Sequence, residues 1–381
     1  MARPVSRWWL WGLMLVMLVT GTLNSVLSKL QYKLTADGMP FRHPYILTLL
    51  MFVGESLCFL AYLADKRYAG QTQDEVSTAP SQSRTPTLIQ RLGVVVFALP
   101  AALDVITTTL VMIGLNLTGV SVYQMLKGSI VVIVAFYSVA FLKKRLYQHH
   151  VLGVVLIFVG VGIVGVGSIW LVHSHATNPA LGAALILLGQ LMGGAIFVLE
   201  EQFFSEISVP PLKAVGVEGL SGLVYCAVLL PILYFIPCYN TEICSGDGHV
   251  EDTPYAFKQM AVSAPLLITS IAGVFSVSFF NWSGLSVTKN ASSLARSTID
   301  TARTVSVWIA ELALGWEGFS LVQLCGFLLL ALGTFIYNEV LVIPWLGFKE
   351  AVQKHQQEMA HKTVLTTEDD IDDPEESKLL P

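Results

Sequence analysis

Apolar runs of roughly 18 residues or more, each long enough to cross a bilayer core about 30 Å thick as a helix, recur along the whole chain between short polar stretches. Ten such runs stand out: Trp8–Leu27, Tyr45–Ala64, Leu92–Ile113, Val120–Leu142, Val151–Val172, Ala180–Phe203, Ala214–Ile236, Ala261–Phe280, Ser293–Gly315 and Leu321–Val342. Period-two alternation, the pattern of membrane β-strands, is absent, so the expected class is an all-α integral membrane protein. The first run follows Arg3 and Arg7, exceeds the core of a signal peptide and leads straight into further spans, which predicts a retained signal anchor.

Composition agrees with that pattern. The chain is 54% hydrophobic and 13% charged, with a mean hydropathy of +0.65. Soluble domains carry about 25% charged residues, which excludes a water-soluble globule. The net charge of −5 adds little, because much of the acid collects between Glu368 and Glu376. No basic face with interleaved aromatics is present, so the expected partner is a lipid membrane and not nucleic acid.

Lysine and arginine set the orientation. With the first span starting in the cytosol, Lys29, Lys33, Arg42 and Lys258 fall on the lumenal side. Lys127, Arg296 and Arg303 lie within spans, and the rest of the 22 fall on the cytosolic side. Both termini are therefore expected in the cytosol. A Ser-, Thr-, Gln- and Pro-rich linker within residues 65–91 and the tail 344–381 are expected to be disordered there. Cys238 and Cys244 bracket a loop that this orientation makes lumenal, where a disulfide between them is allowed.

The chain also repeats itself. Gly114-Leu-Asn-Leu-Thr118 opens the fourth span and Gly284-Leu-Ser-Val-Thr288 leads into the ninth; LGVVLIFVG (Leu152–Gly160) in the fifth matches CGFLLLALG (Cys325–Gly333) in the tenth. An odd number of spans per copy inverts the second copy, the arrangement of many secondary transporters. The expectation is ten transmembrane helices as two inverted five-helix repeats, residues 1–175 and 176–343.

At these residues the chain resembles a known group. The stretches GLNLTGVSVYQMLKGS, SVAFLKKRL, VLEEQFF, PPLKAVGVEGLSG, FFNWSGLSVTK and ALGWE, in this order, resemble subfamily F of solute carrier family 35. That family is part of the drug/metabolite transporter superfamily, with its nucleotide-sugar transporters and EamA-like folds. The resemblance implies a secondary transporter of a small anionic or zwitterionic solute in an endomembrane, with a homodimer allowed. It also implies that the fourth and ninth helices line a central cavity, which carries onto Tyr123, Gln124, Lys127, Ser297, Asp300 and Arg303.

Charge inside a membrane is costly and marks function or pairing. Arg296 and Asp300 are four apart and Asp300 and Arg303 three apart, so all three share a helix face and Asp300 neutralises one arginine. Lys127 has no acid three or four residues away; Asp104, Glu55 or a ligand would complete it. Glu55 and Asp104 read equally well as proton-coupling groups and as charge balance for Lys127 or Arg303. Pro100, one turn before Asp104, predicts a kink. Glu218 reads as a gating contact to Lys213 or Arg296, or as a solvated acid at a helix start.

Gly160, Gly162, Gly165 and Gly167 form no phosphate loop and are expected to let helices approach closely. His149 and His150 cap a span without metal spacing, and no metal or cofactor is expected. In the tail, Glu375 stands four residues before Leu379 and Leu380, an acidic dileucine pattern read by clathrin adaptors, which predicts lysosomal or vacuolar sorting. Two rival readings remain at this level: a Golgi nucleotide-sugar/nucleotide-monophosphate antiporter, and a non-transporting scaffold or receptor. No hydrolytic constellation points to an enzyme.

Overall fold

The computed structural model describes residues 7–69, 88–118, 126–171, 179–238, 248–316, 319, 321–341 and 350. Among them the chain is helical apart from a two-stranded hairpin and an isolated bridge between Pro237 and His249. The helices are α1 (Arg7–Lys33), α2 (Pro44–Ala69), α3 (Leu88–Leu92), α4 (Ala98–Thr118), α5 (Ile130–Ala140) and α6 (Gln148–Leu171). They continue with α7 (Pro179–Glu206), α8 (Pro211–Phe235), α9 (Thr253–Val262), α10 (Ala264–Asn290), α11 (Ser293–Ala313) and α12 (Leu321–Tyr337).

Among the described residues, six helical stretches are long and apolar enough to cross a membrane: Trp8–Lys33, Pro44–Arg67, Leu88–Leu115, Ala180–Glu206, Pro211–Phe235 and Ala264–Asn290. Ile130–Ala140, Gln148–Ile163 and Leu321–Tyr337 are apolar but shorter. Helix α11 departs from the apolar pattern because Arg296, Asp300, Arg303 and Glu311 interrupt it. Large apolar side chains such as Leu60, Val224, Val228, Ile268, Phe275 and Leu328 point outward, as a lipid-facing surface requires.

The kink expected at Pro100 lies just before it. A 3₁₀ turn spans Gly93–Phe97 and joins α3 to α4. Proline has no N–H and its ring crowds the carbonyl four residues earlier, here Val96, which disfavours regular α-helix in that turn.

The helices pair across the chain: α1 with α10, α2 with α8, α4 with α7, α5 with α11, and α6 with α12. The last pair is antiparallel and very close. A Cβ on Gly153 would stand 2.9 Å from the Gly333 carbonyl oxygen, and one on Gly160 would stand 2.6 Å from that of Gly326. Small residues at one helical register let backbones meet this way in membranes. Gly162 faces open space and plays no such part.

At one end of the bundle a small cap forms. The β1 (Thr35–Ala36) and β2 (Met39–Pro40) hairpin turns at Asp37 and Gly38, both at positive φ, the geometry an Asp-Gly pair favours. Helix α9 packs on it: Gln259 donates to the Ala36 carbonyl at 3.0 Å, and Lys258 meets Asp37 at 2.7 Å. Neither hairpin nor cap helix is expected from hydropathy.

Candidate functional site

A charged layer sits inside the bundle where α2, α4, α7, α8, α10 and α11 converge. Arg296, in the first turn of α11, is buried and donates from Nη1 to Glu200 Oε2 of α7. Its guanidinium also lies 4.4 Å from the Phe197 ring centroid. Gly284 on α10 leaves the room, since a Cβ there would come within 2.9 Å of Arg296 Nε. Glu55, Asp104 and Glu218 all lie within electrostatic reach of the same guanidinium.

Glu55 is held from two sides. Its Oε1 accepts from Asn281 Nδ2 at 2.5 Å. Helix α8 presses directly on its backbone, because a Cβ at Gly219 would fall 2.3 Å from Ser56 N. Glu55 Oε2 and Glu218 Oε1 are buried and meet no hydrogen-bond partner among the described residues. Such atoms are costly to bury and mark places where a proton, water or ligand is bound.

One turn further along α11, Asp300 and Arg303 form an ion pair at 3.1 Å. Arg303 lies 4.9 Å from the Phe280 ring centroid, and Gly21 of α1 lets its stem pass, with Arg303 Cδ 2.7 Å from where a Cβ would be. Beside this layer, α1, α2, α4 and α10 line an open-sided cavity of 240 Å³. Neutral polar groups line it, among them Asn24, Ser28, Gln31, Thr48 and Ser270. At its inner end Met51 and Val277 stand one helical turn from Glu55 and Asn281, and Asn24 stands one turn from Gly21. A larger apolar depression of 370 Å³ around Leu146, Val151 and Val155 lies on the outside of α6, away from these charges.

The two ends of the bundle are tied differently. At the end bearing the α10–α11 turn, Glu201 accepts from Ser293 N at 2.9 Å and Ser293 Oγ at 2.6 Å, and pairs with Lys144. Lys289 donates to the Val209 carbonyl at 2.7 Å. At the end bearing the hairpin, Lys29 of α1 pairs with Glu311 of α11 at 2.6 Å. There Glu251 is fully buried, 2.5 Å from His43 Nδ1, and accepts from Tyr45 N at 3.2 Å. Burial pushes the Glu251 carboxyl up from its ordinary range, against the opposing pull of His43 and the Tyr45 amide.

The expected site residues scatter across this picture. Asp300 and Arg303 come together. Ser297 is fully buried and donates to the Leu294 carbonyl at 2.8 Å. Arg296 is a cation within electrostatic reach of Glu55 and Asp104, and Lys127 is half-buried. Glu218 is buried in the charged layer and not a solvated helix start. Tyr123 and Gln124 lie outside the described residues, as do Cys244 and the tail residues Glu375, Leu379 and Leu380. Cys238 is disulfide-bonded, while Cys58, Cys226 and Cys325 are free thiols. Glu200, Asn281 and Phe280 join the site without being expected from hydropathy. An acid doublet inside an apolar helix, Glu200-Glu201, was the available signal for the first.

Family models give no match to the chain. Curated relatives do. Solute carrier family 35 member F6 of Homo sapiens is 36% identical over 335 residues, covering 85% of this chain and 87% of its own. The chain belongs to subfamily F of solute carrier family 35. A protein of Schizosaccharomyces pombe, named only as uncharacterized, is 32% identical over 332 residues and is covered over 98% of its length. One solved crystal structure of a protein at 13% identity superposes with a TM-score of 0.61, covering 88% of this chain and 98% of that one, and shares its fold. Subfamily membership and the apolar spanning helices together make this an integral, multi-pass membrane protein.

Proposed function

We propose that the chain is a secondary active transporter that carries a small zwitterionic or anionic solute across an endomembrane by alternating access. The observation that carries this reading is the cavity between α1, α2, α4 and α10, which ends one turn from a layer bearing both Arg303 and Glu55. A solute with a negative group and a positive group finds both opposite charges there. The Glu201–Ser293–Lys144 tie at the far end would be a gate contact in an alternating cycle.

Ten spanning helices in two inverted halves are part of the proposal. Let each long helix of the first half exchange with its counterpart in the second: α1 with α7, α2 with α8, α3–α4 with α10, α5 with α11, α6 with α12. The α1–α10 contact then becomes the α7–α4 contact, and the other principal pairs map onto themselves. The glycines behave alike: Gly153 and Gly160 hold the places of Gly326 and Gly333 in the repeated motif, and the contacts 153–333 and 160–326 exchange. Both relationships support a pseudo-twofold axis in the membrane plane.

The acids Glu55, Asp104, Glu200 and Glu218 gathered around the Arg296 guanidinium are where a coupling proton would ride. The cavity of 240 Å³ falls below the roughly 300–1,000 Å³ of drug-sized pockets, which favours a small solute over a nucleotide sugar. The name of the Homo sapiens relative, a solute carrier, supports transport over a scaffold role.

The test joins two measurements. An untargeted metabolite comparison of organelles with and without the protein should single out a small ionic solute. Purified protein in liposomes should then exchange that solute in counterflow, faster across an imposed proton gradient. No altered ionic metabolite and no counterflow would leave the scaffold reading in its place.

A further inference from the structure

His149 and His150 occupy the first turn of α6, and Glu339 lies just beyond the last turn of α12. The two helices come from opposite halves of the sequence, yet His149, His150 and Glu339 present one ligand atom each within 4.8 Å of one another. Both histidines are buried, and the Glu339 side chain is 12% exposed. We propose that His149, His150 and Glu339 form a binding site for a divalent transition-metal ion of the zinc type, clamping α6 to α12 at that end of the bundle.

The donor chemistry selects the ion. Two imidazoles and one carboxylate suit zinc and its neighbours, whereas magnesium and calcium demand oxygen donors. Zinc bonds of about 2.0–2.1 Å at tetrahedral angles place neighbouring ligand atoms about 3.4 Å apart. His149 Nε2 and Glu339 Oε1 already stand 3.5 Å apart, so this edge of the polyhedron is formed and only His150 has to close in. Three protein ligands leave a fourth position for water.

The backbone supplies a second, independent observation. Helix α12 ends in a Schellman motif, with Val340 N bonded to the Phe335 carbonyl at 3.0 Å and Glu339 N to that of Ile336 at 3.2 Å. Glu339 holds the left-handed position of that motif, at φ 57°. Glycine is the residue this conformation favours, and a glutamate there costs stability. The carboxylate it supplies is the one directed at His149. Tyr337 packs its ring 4.9 Å from that of His150, giving the cluster a low-dielectric wall. The site stands apart from the charged layer around Arg296 and does not rest on the transport reading.

The deciding variant is Glu339→Gly, because it removes a ligand while giving the backbone the residue it prefers, so folding is not put at risk. Full-length, tag-free protein in detergent is stripped with a chelator, and its melting midpoint is followed against added zinc. Retained zinc per chain is measured by mass spectrometry. The wild type should retain one zinc per chain and melt at a higher midpoint as zinc is raised. Glu339→Gly should melt no lower than wild type without metal, lose the zinc-dependent shift and bind at least tenfold more weakly. His150→Gln should lose the shift as well. Tetrahedral cobalt bands on substituting cobalt for zinc, absent in both variants, would place the ion on these ligands. A wild type that neither retains zinc nor shifts, or a shift unchanged in Glu339→Gly, overturns the proposal; the latter would assign the ion to other donors.

Discussion

Arg296 and Asp300 stand one turn apart on α11, yet they do not pair: Arg296 reaches across to Glu200 on α7, and Asp300 holds Arg303 on its own helix. The charged residues of one helix are thereby divided between an inter-helix tie and a local pair beside the cavity. The two pairs have different consequences when broken.

The Arg296–Glu200 pair is buried on both sides, so Arg296→Gln strands a buried carboxylate, while Glu200→Gln leaves the guanidinium facing Glu55, Asp104 and Glu218. Arg296→Gln is expected to cost about 3–5 kcal/mol and Glu200→Gln less, and the double change should recover part of the Arg296→Gln loss. Thermal or denaturant unfolding of the purified protein in detergent measures the three variants. Additive losses in the double variant would show that the two residues do not act as a pair.

How much of this was legible in the sequence follows from the range of each interaction. The spans are visible because hydropathy integrates over some twenty residues, and Asp300–Arg303 is visible because three residues on one helix are neighbours by geometry alone. Glu200 and Glu201 show the limit. Adjacent on α7, they diverge by the 100° step of the helix, so one turns to Arg296 in the interior and the other to Lys144 and Ser293 at the bundle end. Which does which depends on how α7 is rotated against α11, a long-range fact with no local signature. The same holds for Glu339, which meets His149 only because Gly153 and Gly333 bring their helices together. The hairpin at Asp37-Gly38 was locally readable as turn chemistry, but its strands are only two residues long and carry no periodicity.

Glu251 predicts a pH dependence. Its carboxyl is raised above the ordinary 4.5 by burial, with Asp252 adding to the rise and His43 and the Tyr45 amide opposing it. A group whose folded-state pKa is raised binds protons more tightly folded than unfolded, so its contribution is present below 4.5 and is lost as pH rises through the raised value. The melting midpoint should therefore fall as pH climbs above that range, and Glu251→Gln should flatten the slope. A slope of the opposite sign in the wild type, or one unchanged in Glu251→Gln, would reject the assignment.

Trafficking is tested at the tail. With Glu375 four residues before Leu379 and Leu380, changing both leucines to alanine should raise the share of the protein at the cell surface. Surface biotinylation and organelle imaging read the change, and an unaltered distribution would remove the motif from the sorting argument.

The Asp300–Arg303 pair decides between structure and solute. Arg303→Ala alone is ambiguous, because Asp300 would be left as a buried, uncompensated charge and the protein would be destabilised for that reason. The double change Asp300→Asn with Arg303→Gln removes both charges and keeps the side-chain volumes, so the variant should fold and reach the membrane. If the pair only fixes helix packing against Gly21 and Phe280, flux in liposomes at matched protein amounts should stay close to wild type. If Arg303 meets the negative group of the solute, the loss of its guanidinium removes an interaction that the neutral amide cannot replace beside a cavity lined by uncharged residues. Flux should then fall by at least about tenfold, the equivalent of 1.4 kcal/mol, while the melting midpoint barely moves. Normal flux in a well-folded double variant would rule out Arg303 as the solute's anchor.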